Sequence, residues 1–147
     1  MISPFNDEYF MKQAINEAKL AYENNEVPVG AVIVANKQII ARSFNRTEQL
    51  NDVTAHAEIQ AITAASEYLG SKYLTGCIMY VTLEPCQMCV GALYWSQIDK
   101  VVFGARDEKR KHVNLHEFYH PKTLVVNGLL AEESAALLKK FFSEKRE

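Results

Sequence analysis

Two short motifs, thirty positions apart, constrain this chain more than any other feature of its sequence. His56 and Glu58 form a His-x-Glu motif, and Pro85 precedes Cys86 and Cys89 in a Pro-Cys-x-x-Cys motif. One imidazole and two thiolates are a ligand set that suits zinc. Structural zinc sites usually have four protein ligands, whereas three ligands leave a position for water, as in catalytic sites. The fold must therefore bring the two motifs together.

The surroundings of both motifs favour this interpretation. His56 opens an apolar-periodic run, and Cys86 follows a strand-like run and opens another helical pattern. Helix N-termini carry partial positive charge, which favours thiolate over thiol. Residues three apart share one helix face, so Cys86 and Cys89 can bind the same ion. Glu58 would lie beside the metal, and we expect it to move a proton rather than to bind the ion.

Composition sets the broad class of the protein. The chain has 147 residues, with 48% hydrophobic and 23% charged residues, which is typical of one globular domain spanning residues 1–147. No apolar run approaches the ~20 residues of a membrane span, and residues 1–8 have no signal-peptide pattern. Three cysteines, two of them in the zinc motif, fit a reducing compartment. We therefore expect a cytoplasmic protein with no membrane segment.

The net charge argues against general nucleic-acid binding. The formal charge is −2 and the sequence pI is about 6.1. Nucleic-acid-binding domains are usually basic. Any RNA binding must therefore depend on local patches and on shape.

Hydrophobic periodicity predicts nine elements in the order α-β-β-α-β-α-β-β-α. Their expected ranges are helix 7–24, strand 27–34, strand 38–44, helix 55–68, strand 77–83, helix 86–97, strand 100–104, strand 123–126 and a helix from residue 131. Residues 36–37 form the turn of a hairpin. Strand 77–83 is apolar throughout, which predicts a central position. Alternating strands and helices indicate an α/β fold with a sheet covered on both faces.

The helical patterns also predict which faces are buried. Asn6 or Asp7 is expected to cap the first helix. The expected apolar faces are Phe10, Ala14, Ala18 and Ala21 in the first helix, and Ala135, Leu138 and Phe142 in the last. Residues 105–122 are predicted to form a long polar loop with one short helix, a length typical of functional or mobile loops.

Further blocks extend the motif pattern over nearly the whole chain. They are residues 26–32, 45–46, 52–58, 80–86 and 101–107, and residues 135–138 with 141–142. With these blocks the sequence resembles the bacterial tRNA-specific adenosine deaminases, within the cytidine-deaminase-like superfamily. The resemblance implies a three-layer α/β/α fold with a five-stranded mixed sheet flanked by helices. It also implies a homodimer that binds a tRNA anticodon stem-loop, and hydrolytic deamination of adenosine to inosine at the wobble position.

The resemblance also implies roles for individual residues. One Zn²⁺ per subunit would be bound by His56, Cys86 and Cys89, and Glu58 would transfer protons from the attacking water to the adenine ring and the leaving ammonia. The expected substrate contacts are Asn45, the backbone of Ala57, Val29, the carbonyl of Glu84, and Asp107. For Asp107 a loop-capping role is an equal alternative.

The chain departs from the family pattern after Asp107. Family members usually have a small-residue, glycine-containing loop there, whereas residues 108–114 contain no glycine and the segment to Thr123 looks shorter. The basic run at residues 106–112 is expected to contact RNA, with a solvated loop as the alternative. The cations of residues 139–146 either bind phosphate or complement a helix C-terminus.

Other interpretations remain open at this point. A free nucleobase or nucleoside deaminase of the guanine or cytosine type would use the same zinc chemistry, and a catalytically idle zinc or RNA-binding module is a third possibility. Cys77 as a fourth structural ligand is disfavoured, because it opens a strand six residues before the turn that bears Glu84. His112, His116 and His120 suggest a second metal site only weakly. Tyr94, Trp95 and Phe103 are expected in the core or a dimer interface.

Overall fold

A five-stranded mixed sheet forms the middle layer of the protein, with the strand order β2-β1-β3-β4-β5. The computed structural model describes residues 5–110 and 113–145. The strands are β1 (Gly30–Ala35), β2 (Gln38–Phe44), β3 (Cys77–Leu83), β4 (Lys100–Ala105) and β5 (Leu124–Asn127). β1 is antiparallel to β2 and β3, whereas β3, β4 and β5 run parallel.

Four helices cover the two faces of this sheet. They are α1 (Asp7–Glu23), α2 (Ala57–Leu69), α3 (Gln87–Ser96) and α4 (Ala131–Lys145). Strand side chains alternate between the faces. Tyr80 and Val102 pack with α1, whereas Met79 and Val81 pack with α2 and α3. The predicted three-layer α/β/α architecture and the central position of β3 are confirmed.

The predicted element bounds hold closely in the middle of the chain. Strands 38–44 and 77–83 have the predicted bounds, and Asn36 and Lys37 form the hairpin turn with φ of 51° and 61°. The first strand, predicted from residue 27, begins only at Gly30. Its predicted start is wrong because Pro28 has no N–H and the N–H of Val29 bonds to the carbonyl of Val27, at 2.8 Å.

Helix α1 follows the prediction, including its N-cap. The Asn6 side chain accepts a hydrogen bond from the N–H of Tyr9 at 2.9 Å. The predicted apolar stripe is buried throughout: Phe10, Ala14, Ala18 and Ala21 are each at most 4% exposed. Three alanines in this stripe let the helix backbone approach the sheet closely.

The predicted buried face of α4 is wrong by about one residue. Phe142 is 37% exposed, whereas Ser134 and Phe141 are 3% and 7% exposed. Ser134 packs where Gly104 has no side chain, since a Cβ added at Gly104 would lie 2.9 Å from the Ser134 hydroxyl oxygen. This contact rotates the helix, so Leu138 and Phe141 complete its inner stripe.

The loop after β4 contains two short 3₁₀-helices, Glu108–Arg110 and His116–Phe118, where one helix was predicted. Lys111 and His112 lie outside the described residues. The role of the cations of residues 139–146 stays a prediction. Two of them pack within the chain, because the ammonium of Lys140 lies over the Tyr22 ring and that of Lys145 over Phe141, and Arg146 is outside the described residues.

Strand pairing brings four chain segments to one edge of the sheet. Leu83 pairs with Ala105 at the carboxyl ends of parallel β3 and β4. Gly30 pairs with Phe44, so the start of β1 and the end of β2 lie at that same edge. The segments that leave these strand ends carry Val29, Asn45, Glu84, Cys86 and Asp107. Open α/β sheets bind ligands at this kind of edge.

Replacement of Gly30 by alanine tests how closely α1 approaches β1. A Cβ at this position would lie 2.1 Å from the Ala14 carbonyl oxygen and 2.4 Å from the Ala18 nitrogen. Both are backbone atoms that cannot rotate away, so we expect Gly30→Ala to lower the free energy of unfolding by about 3 kcal/mol. Urea denaturation measures this change.

Gly91→Ala provides the matched control. Gly91 lies within α3, and an added Cβ there meets no described atom within 4 Å. Alanine is favoured over glycine in a helix by about 0.5–1 kcal/mol, so this variant should be as stable as the parent or slightly more stable. Equal stability of both variants and the parent would contradict the close approach at Gly30.

Candidate metal centre and active site

The two motifs meet at the N-termini of two helices. His56 is the N-cap residue of α2, and Cys86 is the N-cap residue of α3, with Cys89 in its first turn. The Nδ1 atom of His56 lies 3.6 Å from the Sγ of Cys86 and 3.6 Å from the Sγ of Cys89. These three ligand atoms all lie within 4.8 Å of one another.

These distances fit a tetrahedral zinc site. Zn–S bonds of about 2.3 Å and Zn–N bonds of about 2.0–2.1 Å, at tetrahedral angles, separate N and S by about 3.6 Å. The distances from His56 to Cys86 and Cys89 match this value. The donor set, one imidazole and two thiolates, is also one that zinc prefers. The three residues could therefore hold zinc without rearrangement of their backbones.

Cys77 does not join this cluster. It is a buried free cysteine at the start of β3, 1% exposed, and its sulfur lies 4.0 Å from the carbonyl oxygen of Thr75. The metal motif follows the opposite end of β3. Cys77 therefore packs as a small apolar side chain, as predicted, and among residues 5–110 and 113–145 the cluster has three ligands rather than four.

The second metal site that the histidines of the long loop suggested only weakly has no support in the described residues. Within residues 5–110 and 113–145, His116 and His120 belong to no group of three potential ligands. His116 packs near the Tyr119 ring and His120 near Tyr94. His112 lies outside the described residues.

The electrostatics of the cluster favour a bound cation. The thiol of Cys89 donates a hydrogen bond to the sulfur of Cys86, and this contact, together with His56, lowers the pKa of Cys86 to about 3. The same contact raises the pKa of Cys89, and Cys86 raises the pKa of His56. The Cys89 proton therefore lies next to the Cys86 thiolate. A divalent cation displaces such a proton, because metal ligands bind as thiolates.

Glu58 is the buried acid of the site. It lies in the first turn of α2, is 4% exposed, and burial raises its pKa to about 7. A carboxyl group with a pKa near the operating pH can both accept and return a proton. Its carboxyl group interacts with the Cys89 thiol and the His56 imidazole, so it lies beside the metal ligands.

The ligand cluster opens into a cavity of about 250 Å³. A cavity of this size suits a single heterocycle rather than a larger ligand. Eight of the nine predicted site residues line it: Val29, Asn45, His56, Ala57, Glu58, Glu84, Cys86 and Asp107. The ninth, Cys89, is fully buried behind Cys86. Four further residues line it: Val27, Thr47 and Leu83, which were not predicted contacts, and Arg110, which belongs to the basic run 106–112 that was expected to contact RNA.

Asn45 presents an unused hydrogen-bonding group in this cavity. Its side chain is 7% exposed, and Oδ1 has no hydrogen-bond partner among the described residues. Buried polar atoms almost always have a partner. An unpaired carboxamide oxygen that lines a cavity is therefore a natural contact for a polar ligand.

Glu84 and Asp107 interact with each other at the mouth of the cavity. The backbone N–H of Asp107 donates to a carboxylate oxygen of Glu84 at 3.0 Å. The Asp107 carboxylate accepts from the N–H of Lys109 at 3.1 Å and lies 3.7 Å from the Arg110 guanidinium. The loop-capping role considered for Asp107 is therefore present, in addition to its place in the cavity wall.

Glu26 holds the loop that carries Asn45 and Thr47. It is only 1% exposed, and its two carboxylate oxygens accept hydrogen bonds from the backbone N–H groups of Glu48, at 3.0 Å, and Gln49, at 2.7 Å. Sequence reasoning placed Glu26 in a family-like block without a role. Its only local signal is an acidic residue directly before an apolar run.

Gln60 of α2 fastens both ends of the same loop. Its amide nitrogen donates to the carbonyls of Phe44, at 2.8 Å, and Ala55, at 3.0 Å. Its amide oxygen accepts from Arg46 at 2.7 Å, and the Arg46 guanidinium lies 3.8 Å from the centre of the Phe44 ring. The loop between β2 and α2 is therefore fixed at the cavity wall.

Sequence reasoning also missed Tyr119. This side chain is 7% exposed, and its hydroxyl has no hydrogen-bond partner among the described residues. Burial and the nearby carboxyl groups of Glu58 and Glu84 raise its pKa. No local pattern marks Tyr119, because it follows a short 3₁₀-helix in an irregular loop.

Comparison with known proteins agrees with this geometry. A family model described as the cytidine and deoxycytidylate deaminase zinc-binding region matches residues 4–105. A tRNA-specific adenosine deaminase of Agrobacterium fabrum is 47% identical over 144 residues, covering 94% of this chain and 95% of the relative. The chain belongs to the tRNA-specific adenosine deaminase family. The predicted resemblance is therefore confirmed.

Solved structures of deaminases share the fold. One, from a study of A-to-I editing by tRNA:A34 deaminases at the wobble position, is 45% identical, with a TM-score of 0.81 and coverage of 88% of this chain and 98% of that chain. A guanine deaminase of Bacillus subtilis is 42% identical, with a TM-score of 0.66 and coverage of 69% of this chain and 65% of that chain.

In the described part of the chain, no helix has the length and apolar character needed to cross a bilayer.

Substitution of the cysteines tests the metal centre. We expect Cys86→Ser and Cys89→Ser each to lower the zinc content of the purified, dialysed protein to below about a tenth of the parent, because serine is a poor zinc ligand. Atomic absorption measures the bound metal. Cys77→Ala should keep the parental zinc content. Loss of zinc in Cys77→Ala with an unchanged fold would contradict the three-ligand assignment.

Proposed function

We propose that this protein is a zinc-dependent enzyme that deaminates adenosine to inosine at the wobble position of a tRNA anticodon. One observation carries the proposal. The three-ligand cluster opens, beside the buried acid Glu58, into a cavity sized for a single base, in a chain that matches tRNA-specific adenosine deaminases over nearly its whole length.

The residues that hold the metal are His56, Cys86 and Cys89, with one ion per subunit. Zinc, when bound, lowers the pKa of coordinated water towards about 7, so that hydroxide is available near neutrality. The elements of this chain keep the three ligands together, because each of the two motifs begins a helix at the same sheet edge.

Glu58 moves the protons of the reaction. It accepts a proton from the attacking water and delivers it to the adenine ring nitrogen next to the reacting carbon. It then takes the second proton of that water, now on the hydroxyl at the reacting carbon, and gives it to the amine, which leaves as ammonia while the C=O of inosine forms. Its buried position supports both steps, because burial raises its pKa to about 7. General acid–base catalysis of this kind contributes about 10²–10⁴ in rate.

The cavity wall orients the base. The unpaired carboxamide of Asn45 and the first-turn backbone N–H of Ala57 provide polar contacts, and Val29 packs against the ring. The carbonyl of Glu84 accepts from the exocyclic amine. A base must leave its stack to enter such a cavity, and an anticodon loop supplies splayed bases at low cost.

The homodimer forms through the exposed aromatic surface of α3. Trp95 is 76% exposed, and its ring packs edge-on against Tyr94 with the ring centroids 5.4 Å apart. Trp95 also lines a groove of about 520 Å³ with Tyr73 and Ile62. Apolar surface of this kind marks interaction sites. Phe103, in contrast, is 4% exposed and belongs to the core.

Residues 1–147 form one deaminase domain, which the single sheet built from all five strands supports. The enzyme acts in the cytoplasm. Its tRNA substrate supports this location, as do three cysteines that form no disulfide.

Ammonia release from a substrate panel tests the proposed reaction. The panel contains an anticodon stem-loop with adenosine at the wobble position, the same hairpin with guanosine there, and free adenosine, cytidine and guanine. We expect the zinc-loaded protein to act on the adenosine hairpin alone. Activity on free guanine with none on RNA would establish a nucleobase deaminase instead, and release of ammonia from no substrate would indicate an idle zinc module.

Glu58→Gln tests the mechanism in the same assay. The amide keeps the shape of the side chain but cannot transfer protons, so we expect a loss of about 10²–10⁴-fold in rate with zinc retained. The matched control is Glu67→Gln, which changes an exposed carboxylate of the same helix and should leave the rate unchanged. Full activity of Glu58→Gln would refute the assigned role.

Trp95→Lys tests the dimer surface. A buried, unpaired ammonium is costly, so we expect this variant to sediment as a monomer where the parent sediments as a dimer. Tyr68→Lys changes another exposed aromatic residue, 67% exposed on α2, and should remain dimeric. A dimeric Trp95→Lys variant would move the interface elsewhere.

A further inference from the structure

Arg110 lies between the catalytic cavity and a second cavity beside it. It lines the 250 Å³ cavity together with Asp107 and Thr47. It also lines a neighbouring cavity of about 430 Å³, whose wall includes Gln87 and Met88 from the first turn of α3. A polymer with one base in the catalytic cavity would therefore pass the Arg110 side chain as it leaves.

Two hydrogen bonds and an ion pair connect Arg110, through Asp107, to the metal motif. Glu84, two residues before Cys86, accepts the backbone N–H of Asp107 at 3.0 Å. The Asp107 carbonyl accepts the N–H of Arg110 at 3.0 Å, and the Asp107 carboxylate lies 3.7 Å from Nε of the Arg110 guanidinium. These contacts therefore hold the guanidinium at the mouth of the catalytic cavity.

The chemistry of this side chain suits a phosphodiester. A guanidinium has five N–H donors. The Asp107 carboxylate faces the Nε side of the Arg110 guanidinium, so the donors on its other side can bind a second anion. The Arg110 side chain is half exposed, which leaves it accessible to a ligand. The chain as a whole carries a net charge of −2, so a cation at this mouth is a local feature and not part of a generally basic surface.

We propose that Arg110 binds a backbone phosphate of the RNA next to the target adenosine. This inference rests on the proposed tRNA substrate and adds a positioning residue to it, within the loop where the sequence departs from the family pattern. Arg110 acts on substrate position and affinity, and proton transfer remains with Glu58.

Lys109 provides a matched control for this inference. It is adjacent to Arg110 in the same 3₁₀-helix and carries the same charge. Its ammonium lies 5.5 Å from the centre of the Phe142 ring, and it lines neither the catalytic cavity nor the neighbouring one. Arg110→Gln and Lys109→Gln therefore remove one charge each from the same turn, but only the first removes the proposed contact.

The test measures RNA binding without turnover. Each variant is made in the zinc-loaded Glu58→Gln protein, and affinity for a labelled anticodon stem-loop is measured by fluorescence anisotropy between 50 and 200 mM KCl, about the range over which phosphate contacts weaken strongly. We expect Arg110→Gln to weaken binding about tenfold and to reduce the slope of log K against log salt by about 0.7, the value for one phosphate contact on a single strand. Lys109 belongs to the same basic run, but its ammonium lies over the Phe142 ring and outside both cavities, so Lys109→Gln should change affinity less than about twofold.

A second variant and a kinetic readout separate the contact from a structural role. Arg110→Lys keeps the charge and should recover most of the salt slope, which a merely structural arginine would not show. In protein with Glu58 intact, Arg110→Gln should raise KM for the hairpin and leave kcat within about twofold.

Equal binding and equal slopes for Arg110→Gln and Lys109→Gln, in a protein that deaminates the hairpin, would overturn this inference and leave the proposed function standing. No binding of the hairpin by the parent, with activity on free guanine, would overturn both.

Discussion

The rest of the site depends on one constraint. The Nδ1 atom of His56 must lie close to two cysteine sulfurs, and it is 3.6 Å from each of them. Two helices must begin at the same point for this to occur, and both do so at the edge where β3 and β4 end. The antiparallel β1 and β2 hairpin brings Val29 and Asn45 to the same edge. The mixed sheet thus places the metal ligands and the base contacts around one small cavity.

Burial then determines what the site can do chemically. Glu58 is almost fully removed from water, and the cost of burying its charge raises its pKa to about 7. The neighbouring thiol of Cys86 has the opposite shift, because it accepts a hydrogen bond from Cys89 and lies beside His56. Burial therefore produces an acid that exchanges protons at Glu58, whereas the neighbours of the partly buried Cys86 produce a thiolate that binds metal.

Most elements could be predicted because their patterns are local. Strands 38–44 and 77–83 and the helix from Asp7 have clear periods and clear ends, and the structure reproduces them. The inner face of α4 could not be predicted, because it depends on Gly104, which lies about 30 residues earlier on another element. The roles of Glu26 and Tyr119 were missed for the same reason, since their partners and neighbours are distant in sequence.

The sequence by itself determined the ligand types, the acid beside them, the order of elements and the family, because these depend on residue identity and short spacings. Only the tertiary structure decided which residues share the cavity. The side chain of Arg110 reaches the cavity through contacts with Asp107, and the Asn45 oxygen is left unpaired where the cavity needs a contact. Distances of this kind follow from strand register and helix packing, which no single stretch of sequence encodes.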